Sequence, residues 1–549
     1  MINLLIEDMY ALTVREDMSL MDIVKDYEKN HTTQIVLARA NNRLVDLWYK
    51  PVRDARIEFL DLSTIDGIKT YRLSLVFLLL RAFNELYPKI QLIVAHSLGK
   101  AFYVVPKNGE EITCEMLEAV RIRMLDIAAL DEPFHRTKMK RDEAIKLMER
   151  LGQDDKVRLL TWIDQDNVHL YSFGNLKEYF FRPMVPSAGC LTQFSLQKHD
   201  TGFLIGSPRH SSPDTLVPIT RYDKLFKIFK EFEEWGRILG ISDVADLNEA
   251  IARSRFTEIM MVSETLHEKK IGAIADQIEA LSPRPRVILI AGPSSSGKTT
   301  FSKRLAIHLK VNKITPKSIE MDDYFLPRTK TPRLPDGDYD YENIEAIDLE
   351  LFNRHLNDIL NGKEIECPHY DFGTGERTMS GRHVRLDDGE VLIIEGIHGL
   401  NSRLTDAVDD AKKFKIYVSA LTHINIDNHN RLSTTDSRLI RRIVRDSHFR
   451  SYRALETLRR WPLVRSGEDR WIFPYQEDAD VIFNSALPYE QCVLRPFILP
   501  VLMKIPRTEP EYSEARRLMD LIRCFREVST ADVPYHSILR EFVGGSIFY

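Results

Sequence analysis

The stretch VILIAGPSSSGKTTFSKRL, Val287 to Leu305, decides the fold. Its opening apolar run, Val287 to Ala291, reads as a buried strand, which breaks into Gly292-Pro293-Ser294-Ser295-Ser296-Gly297-Lys298-Thr299-Thr300. That run matches GxxxxGK[ST] in full. Beyond it Phe301, Leu305 and Leu309 fall at i, i+4 and i+8, one apolar stripe of a helix. Glycines let the backbone curl until successive N–H groups face a single anion, and the helix N-terminus adds a favourable dipole. In such a loop Lys298 reaches the β- and γ-phosphates and the Thr299 hydroxyl ligates Mg²⁺. Residues 292–300 are therefore expected to bind ATP, within an α/β unit of the P-loop NTPase type: a parallel sheet flanked by helices.

Three downstream features bear on what the phosphate is for. KSIEMDDYF puts Asp322 and Asp323 just past a short strand, one helix and one loop after Lys298. A carboxylate at that strand end can take the proton of an attacking hydroxyl. DDGEVLIIEGIHGL has a turn, an apolar strand and Glu395 at its carboxyl end, where an acid can hold Mg²⁺ directly or through water. RLIRRIVRD carries Arg438, Arg441, Arg442 and Arg445 on one helical face, with Leu439, Ile440, Ile443 and Val444 on the other. Arginine fits phosphate geometry, so the helix is read as a lid closing over ATP.

The rest of the chain narrows the setting. Its 549 residues are enough for about three or four domains. A formal charge of −5 argues against a role in coating nucleic acid. The five cysteines are scattered and never form a CxxC pair, poor material for a disulfide framework or a zinc site. The acidic start MINLLIEDMY is unlike a secretory signal, and the longest apolar run, LSLVFLLL, is far short of the roughly 20 residues a bilayer needs. A cytoplasmic chain without a membrane partner is expected. Composition shifts divide it into a strand-rich module (1–62), an α+β region (63–220), a helical connector (221–282), the phosphate-loop domain (283–490, lid about 436–465) and a helical tail (491–549).

IAGPSSSGKTTFSKRL, MDDYF, GKEIECPHYDF, VLIIEGIHGL and RLIRRIVRD occur in the order and rough spacing of the uridine kinase and phosphoribulokinase family, which residues 285–490 resemble. The resemblance implies phosphoryl transfer from ATP, with Mg²⁺, to a sugar hydroxyl, foremost the 5′-hydroxyl of a pyrimidine nucleoside; the alternatives are another small hydroxyl compound or sugar phosphate as acceptor, or a nucleotide-dependent RNA-binding regulator. It makes Asp322 the catalytic base and puts Lys298, Thr299 and Glu395 on phosphate and metal positions. YDYENIEAID resembles the ribose-binding segment, with Glu342 where the family usually has Asp and Asp340 as the fallback. Tyr370 and Phe372 match the aromatics beside the base, and Arg441 and Arg445 the lid arginines. Where a base-reading histidine would follow, the chain has Gly373-Thr374-Gly375-Glu376.

Residues 1–220 resemble the TGS domain, a small β-grasp-like module, and the editing-type second additional domain of threonyl-tRNA synthetases. That family's HxxxH positions fall on Phe77 and Arg81, and YFFRPMVPSAG offers Phe and Met184 where Cys and His would stand. The module is therefore expected to be catalytically silent, with His96 and Cys190 as ordinary buried residues. Ligand binding, RNA contact or assembly remain its open roles, and a homo-oligomer is expected.

Overall fold

The computed structural model describes residues 1–334, 337–406, 408–450 and 452–548. The stretch Val287–Ala291 forms the middle strand of a five-stranded sheet ordered Pro316–Glu320, Val391–Glu395, Val287–Ala291, Lys413–Ser419, Val481–Asn484, every neighbouring pair parallel. All five residues of the middle strand are buried, as a strand covered on both faces must be. The register sets Glu395 beside both Ile290 and Glu320, so the acidic strand ends meet the phosphate loop along one edge. Ligands of open parallel sheets bind beyond the carboxyl ends of the strands.

Phe301, Leu305 and Leu309 of the following helix, Lys298–Val311, are fully buried against this sheet. The same core continues through Cys492, Val493, Leu494, Ile498 and Leu502 of the helix Glu490–Leu502, then Leu518 and Ile522 of Tyr512–Ile522, and on to Ile538 and Phe542. The boundary drawn at 490 thus falls inside one core. What reads as a tail is a wall of the phosphate-loop domain, because its apolar side chains have no other surface to cover.

The front half holds a five-stranded mixed sheet, in which Ile2–Ile6 pairs in parallel with Ala55–Asp61, and two antiparallel sheets of four and three strands. Its central helix spans Ile65–Leu86, starting earlier than the apolar pattern suggests. The cause is local: the Thr64 side chain accepts from the Gly67 amide (3.0 Å) and caps the first turn. The connector consists of the helices Asp223–Leu239, Val244–Ala252 and Phe256–Ala280.

The halves are joined at the loop that leads from Lys413–Ser419 into the arginine helix, Thr434–Phe449. The Val94 amide donates to Asn428 O (2.8 Å), Asn425 Nδ2 donates to Val94 O (3.0 Å), and Arg431 Nε donates to Ala95 O (3.0 Å). Beneath them the fully buried Lys156 ammonium meets Asp427 (2.6 Å), Glu178 (3.3 Å) and Asp155 (3.5 Å). Among the described residues no helix is long and apolar enough to cross a membrane.

Candidate functional site

The phosphate loop owes its shape to two left-handed residues, Ser295 (φ 59°) and Gly297 (φ 85°). Gly292 has no room for a Cβ, because the Val418 carbonyl of the next strand occupies that space. The hydroxyls of Ser295 and Ser296 are buried without a hydrogen-bond partner. Buried polar atoms ordinarily have partners, so a loop that strands two hydroxyls is built for something polar to enter. Lys298 Nζ rests on Pro293 O (3.4 Å).

Around Lys298 the carboxylates gather. Thr299 Oγ1 donates to Glu395 Oε1 (3.2 Å). Burial pushes the Glu395 carboxyl up to about 7, with Asp322, Glu541 and Glu320 adding repulsion against the pull of Lys298. Asp322 stays solvent-accessible, yet crowding by protein raises its carboxyl too, opposed by Lys298 and Arg450. A hydroxyl beside an acid short of positive charge is a hard-oxygen donor set, and it fits Mg²⁺.

On the acceptor side, the Glu342 carboxyl is pushed up to about 8, by burial first and the charge of Glu468 second. It also feels Lys298 and Asp322, which places it in the same cleft, and Gly467 leaves room for its Cβ. Asp340 is positioned through its backbone, its amide donating to Pro332 O (2.8 Å). Tyr370 and Phe372 meet edge to face (4.9 Å between ring centres), each also touching Phe325, three residues beyond Asp322. Tyr341 joins the cluster, and Phe372 remains half exposed.

The arginine helix differs from the expected lid. Arg438 and Arg441 are fully buried in ion pairs: Arg438 with Glu468 and the Ser294 carbonyl (3.1 Å), Arg441 with Glu490 (2.5 Å) and the Ser485 carbonyl (2.9 Å). Removing one partner of such a buried pair costs about 3–5 kcal/mol. In this structure the helix forms a wall behind the loop, with Arg438 on the Ser294 carbonyl and on Glu468. Arg441, expected on ATP, is instead committed to Glu490, whereas Arg445 lies by Asp446 (3.7 Å) and Glu541 (4.0 Å). Arg442 reaches the Ser294 hydroxyl (2.5 Å). Glu468 also accepts from the Ser294 amide (3.2 Å), bracing the loop from the side. Sequence reasoning missed Glu468, Ser485 and Glu541. None sits in a motif, and only long-range folding brings them to the loop.

The corresponding residues of the synthetase-like half present the opposite picture. Phe77 lies among Phe180 (5.4 Å between centres), Phe173 (5.6 Å) and Phe134 (5.8 Å). Arg81 forks onto Glu132 (2.6 and 3.0 Å) and reaches Glu85 (2.9 Å). Met184 packs on the Ser74 hydroxyl. His96 is buried, stacked on Phe229 (4.1 Å) and bonded to Glu233 (2.6 Å), and burial pushes the Cys190 thiol up to about 11. Among the described residues no group of three or more His, Cys, Asp or Glu could hold a metal ion.

Known proteins divide the chain the same way. The family model described as phosphoribulokinase / uridine kinase family matches residues 287–490. The N-terminal half is similar to threonine–tRNA ligases: 32% identical over 173 residues to that of Methylococcus capsulatus (31% of this chain, 27% of the ligase), and 34% over 161 residues to that of Burkholderia ambifaria (29% and 25%). The chain spans about a quarter of the length of these ligases. A solved structure described as a possible uridine kinase, from Bacillus stearothermophilus, aligns over 39% of this chain and 98% of its own, with a TM-score of 0.28 and 20% identity. Residues 287–490 thus match the phosphoribulokinase / uridine kinase family model, behind an N-terminal half similar to part of threonine–tRNA ligases.

Proposed function

We propose that the chain is an ATP-dependent nucleoside kinase, moving the γ-phosphoryl group to a sugar 5′-hydroxyl. The reading is carried by the convergence of Lys298, Thr299, Asp322 and Glu395, from three separate stretches of backbone, on the carboxyl edge of one parallel sheet. The acceptor hydroxyl attacks the γ-phosphorus in line, its proton passes to Asp322, and the bridging bond to the β-phosphate breaks to leave ADP. A carboxyl raised above its ordinary range is a better base near neutral pH. Lys298 and the loop amides stabilise charge on the transferred group. Mg²⁺ carried in with ATP would be held by Thr299 and Glu395 and would neutralise phosphate charge. Glu342 offers the acceptor a carboxyl that is still protonated near pH 7, and so able to donate as well as accept. The half-exposed Phe372 and its ring neighbours offer a stacking face to a planar base.

The test is ATP consumption by the full chain against a panel of nucleosides, sugars and sugar phosphates. Turnover with a nucleoside and identification of its 5′-monophosphate would establish the reading. Turnover confined to sugars or sugar phosphates would move the acceptor to that class.

A further inference from the structure

The phosphate loop has a resident neighbour that the proposed reaction does not use. Glu541 Oε2 accepts from the Thr300 amide (3.3 Å) and the Thr300 hydroxyl (2.9 Å), at the start of the loop's own helix. Those are donors of the kind an entering phosphate oxygen takes, since the first amides of a helix have no partner within it. Glu541 is held there by its surroundings. Ile538, Leu539 and Phe542 are fully buried, and Ile538 lies so close to Gly297 that a Cβ there would come within 2.6 Å of it. The Arg441 guanidinium covers the Phe542 ring (5.1 Å), Lys303 Nζ donates to Phe548 O (3.0 Å), and Arg540 ties the turn to Thr530 O (2.8 Å).

We propose that segment 537–548 is an internal occupant of the nucleotide site: the Glu541 carboxylate sits on a phosphate position, and the triphosphate must displace it to bind. The proposal rests on the nucleotide reading above and adds regulation to it. Two anions do not share one pair of donors, and Asp322, Glu320 and Glu395 already crowd the cleft with negative charge. The site therefore carries a built-in competitor at an effectively fixed local concentration. Leaving costs the segment the two Thr300 bonds and the burial of Ile538, Leu539 and Phe542, which the triphosphate's own contacts with the loop must offset. The Arg445 guanidinium, 4.0 Å from Glu541, is then left facing the incoming phosphate.

The test compares MgATP binding to the full chain and to Glu541→Gln, which keeps the side chain's shape and removes its charge. Hydrogen exchange of the amides in 537–548 is followed with and without saturating ATP. Expected are a roughly tenfold tighter Kd for E541Q and faster exchange across 537–548 in the wild type when ATP is added. A residue that merely caps the helix would lower thermal stability on substitution and leave both readouts unmoved. An unchanged or weaker Kd in E541Q, or a segment as protected with ATP as without, overturns the proposal while ATP binding itself stands. If neither protein binds ATP, and Lys298→Ala changes nothing, the nucleotide reading fails and takes the proposal with it.

Discussion

Phe77 and Asp322 occupy comparable places, each where its half of the chain resembles a catalytic centre, and their surroundings are opposite. Around Phe77 rings meet rings, and Arg81 has two carboxylates. At the other site three acids, Asp322, Glu342 and Glu395, are raised by the protein packed around them, and two serine hydroxyls lack partners. Strongly perturbed carboxyls beside a phosphate loop mark a candidate site for a charged ligand, and the ring cluster around Phe77 carries no such groups. Residual electrostatic conflict separates the two.

The comparison can be broken most decisively at Asp322, the proposed base. Asp322→Asn should lower phosphoryl transfer by about 10²–10⁴-fold, while the Kd for ATP, measured by calorimetry, stays within a few fold. Loss of ATP binding along with turnover would show that the carboxylate holds the nucleotide rather than the acceptor proton.

In the front half, Phe77→Ala should cost about 3–5 kcal/mol of stability through the cavity it leaves, read from the denaturant midpoint. Turnover measured below the unfolding range should hardly change. A large fall in turnover at full folding would mean that the front half acts on the chemistry.

The junction offers a sharper variant of the same question. Asp427→Asn leaves the fully buried Lys156 short of its nearest partner, which should cost about 3–5 kcal/mol. Because the broken contact lies between the halves, calorimetry should show both melting at lower temperature together. Two separated transitions, with only one shifted, would show that the halves fold independently.

The smallest effect is one of pH. Glu342 titrates near 8 in the folded protein, against about 4.3 when unfolded. A raised carboxyl means the native state holds a proton the unfolded state has lost, so its contribution is full below about pH 4 and fades as pH rises through 8. Glu342→Gln should therefore match the wild type at pH 4 and melt higher at pH 9. Equal melting temperatures at both pH values would place Glu342 in an ordinary aqueous setting.

Much of this could be read directly from the chain. The strand, loop and helix around 287–305, the acids at 322 and 395, and the missing polar ligands at Phe77, Arg81 and Met184 are local features. Residue type and spacing fix them, because turn geometry and apolar periodicity act over a few residues. The arginine stripe shows where such reading stops. Its spacing correctly puts four guanidiniums on one face, but a periodic pattern cannot tell a face turned to solvent and phosphate from one turned to Glu468 and Glu490. Those partners lie 30 and 49 residues further on. The same holds for the presumed tail, whose apolar side chains finish the domain core, and for Glu541, which reaches Thr300 across 241 residues. Chemistry that needs a few neighbouring residues was written in the sequence. Which charges neutralise one another was decided by the tertiary fold, since burial and pairing belong to the assembled core and to no segment alone.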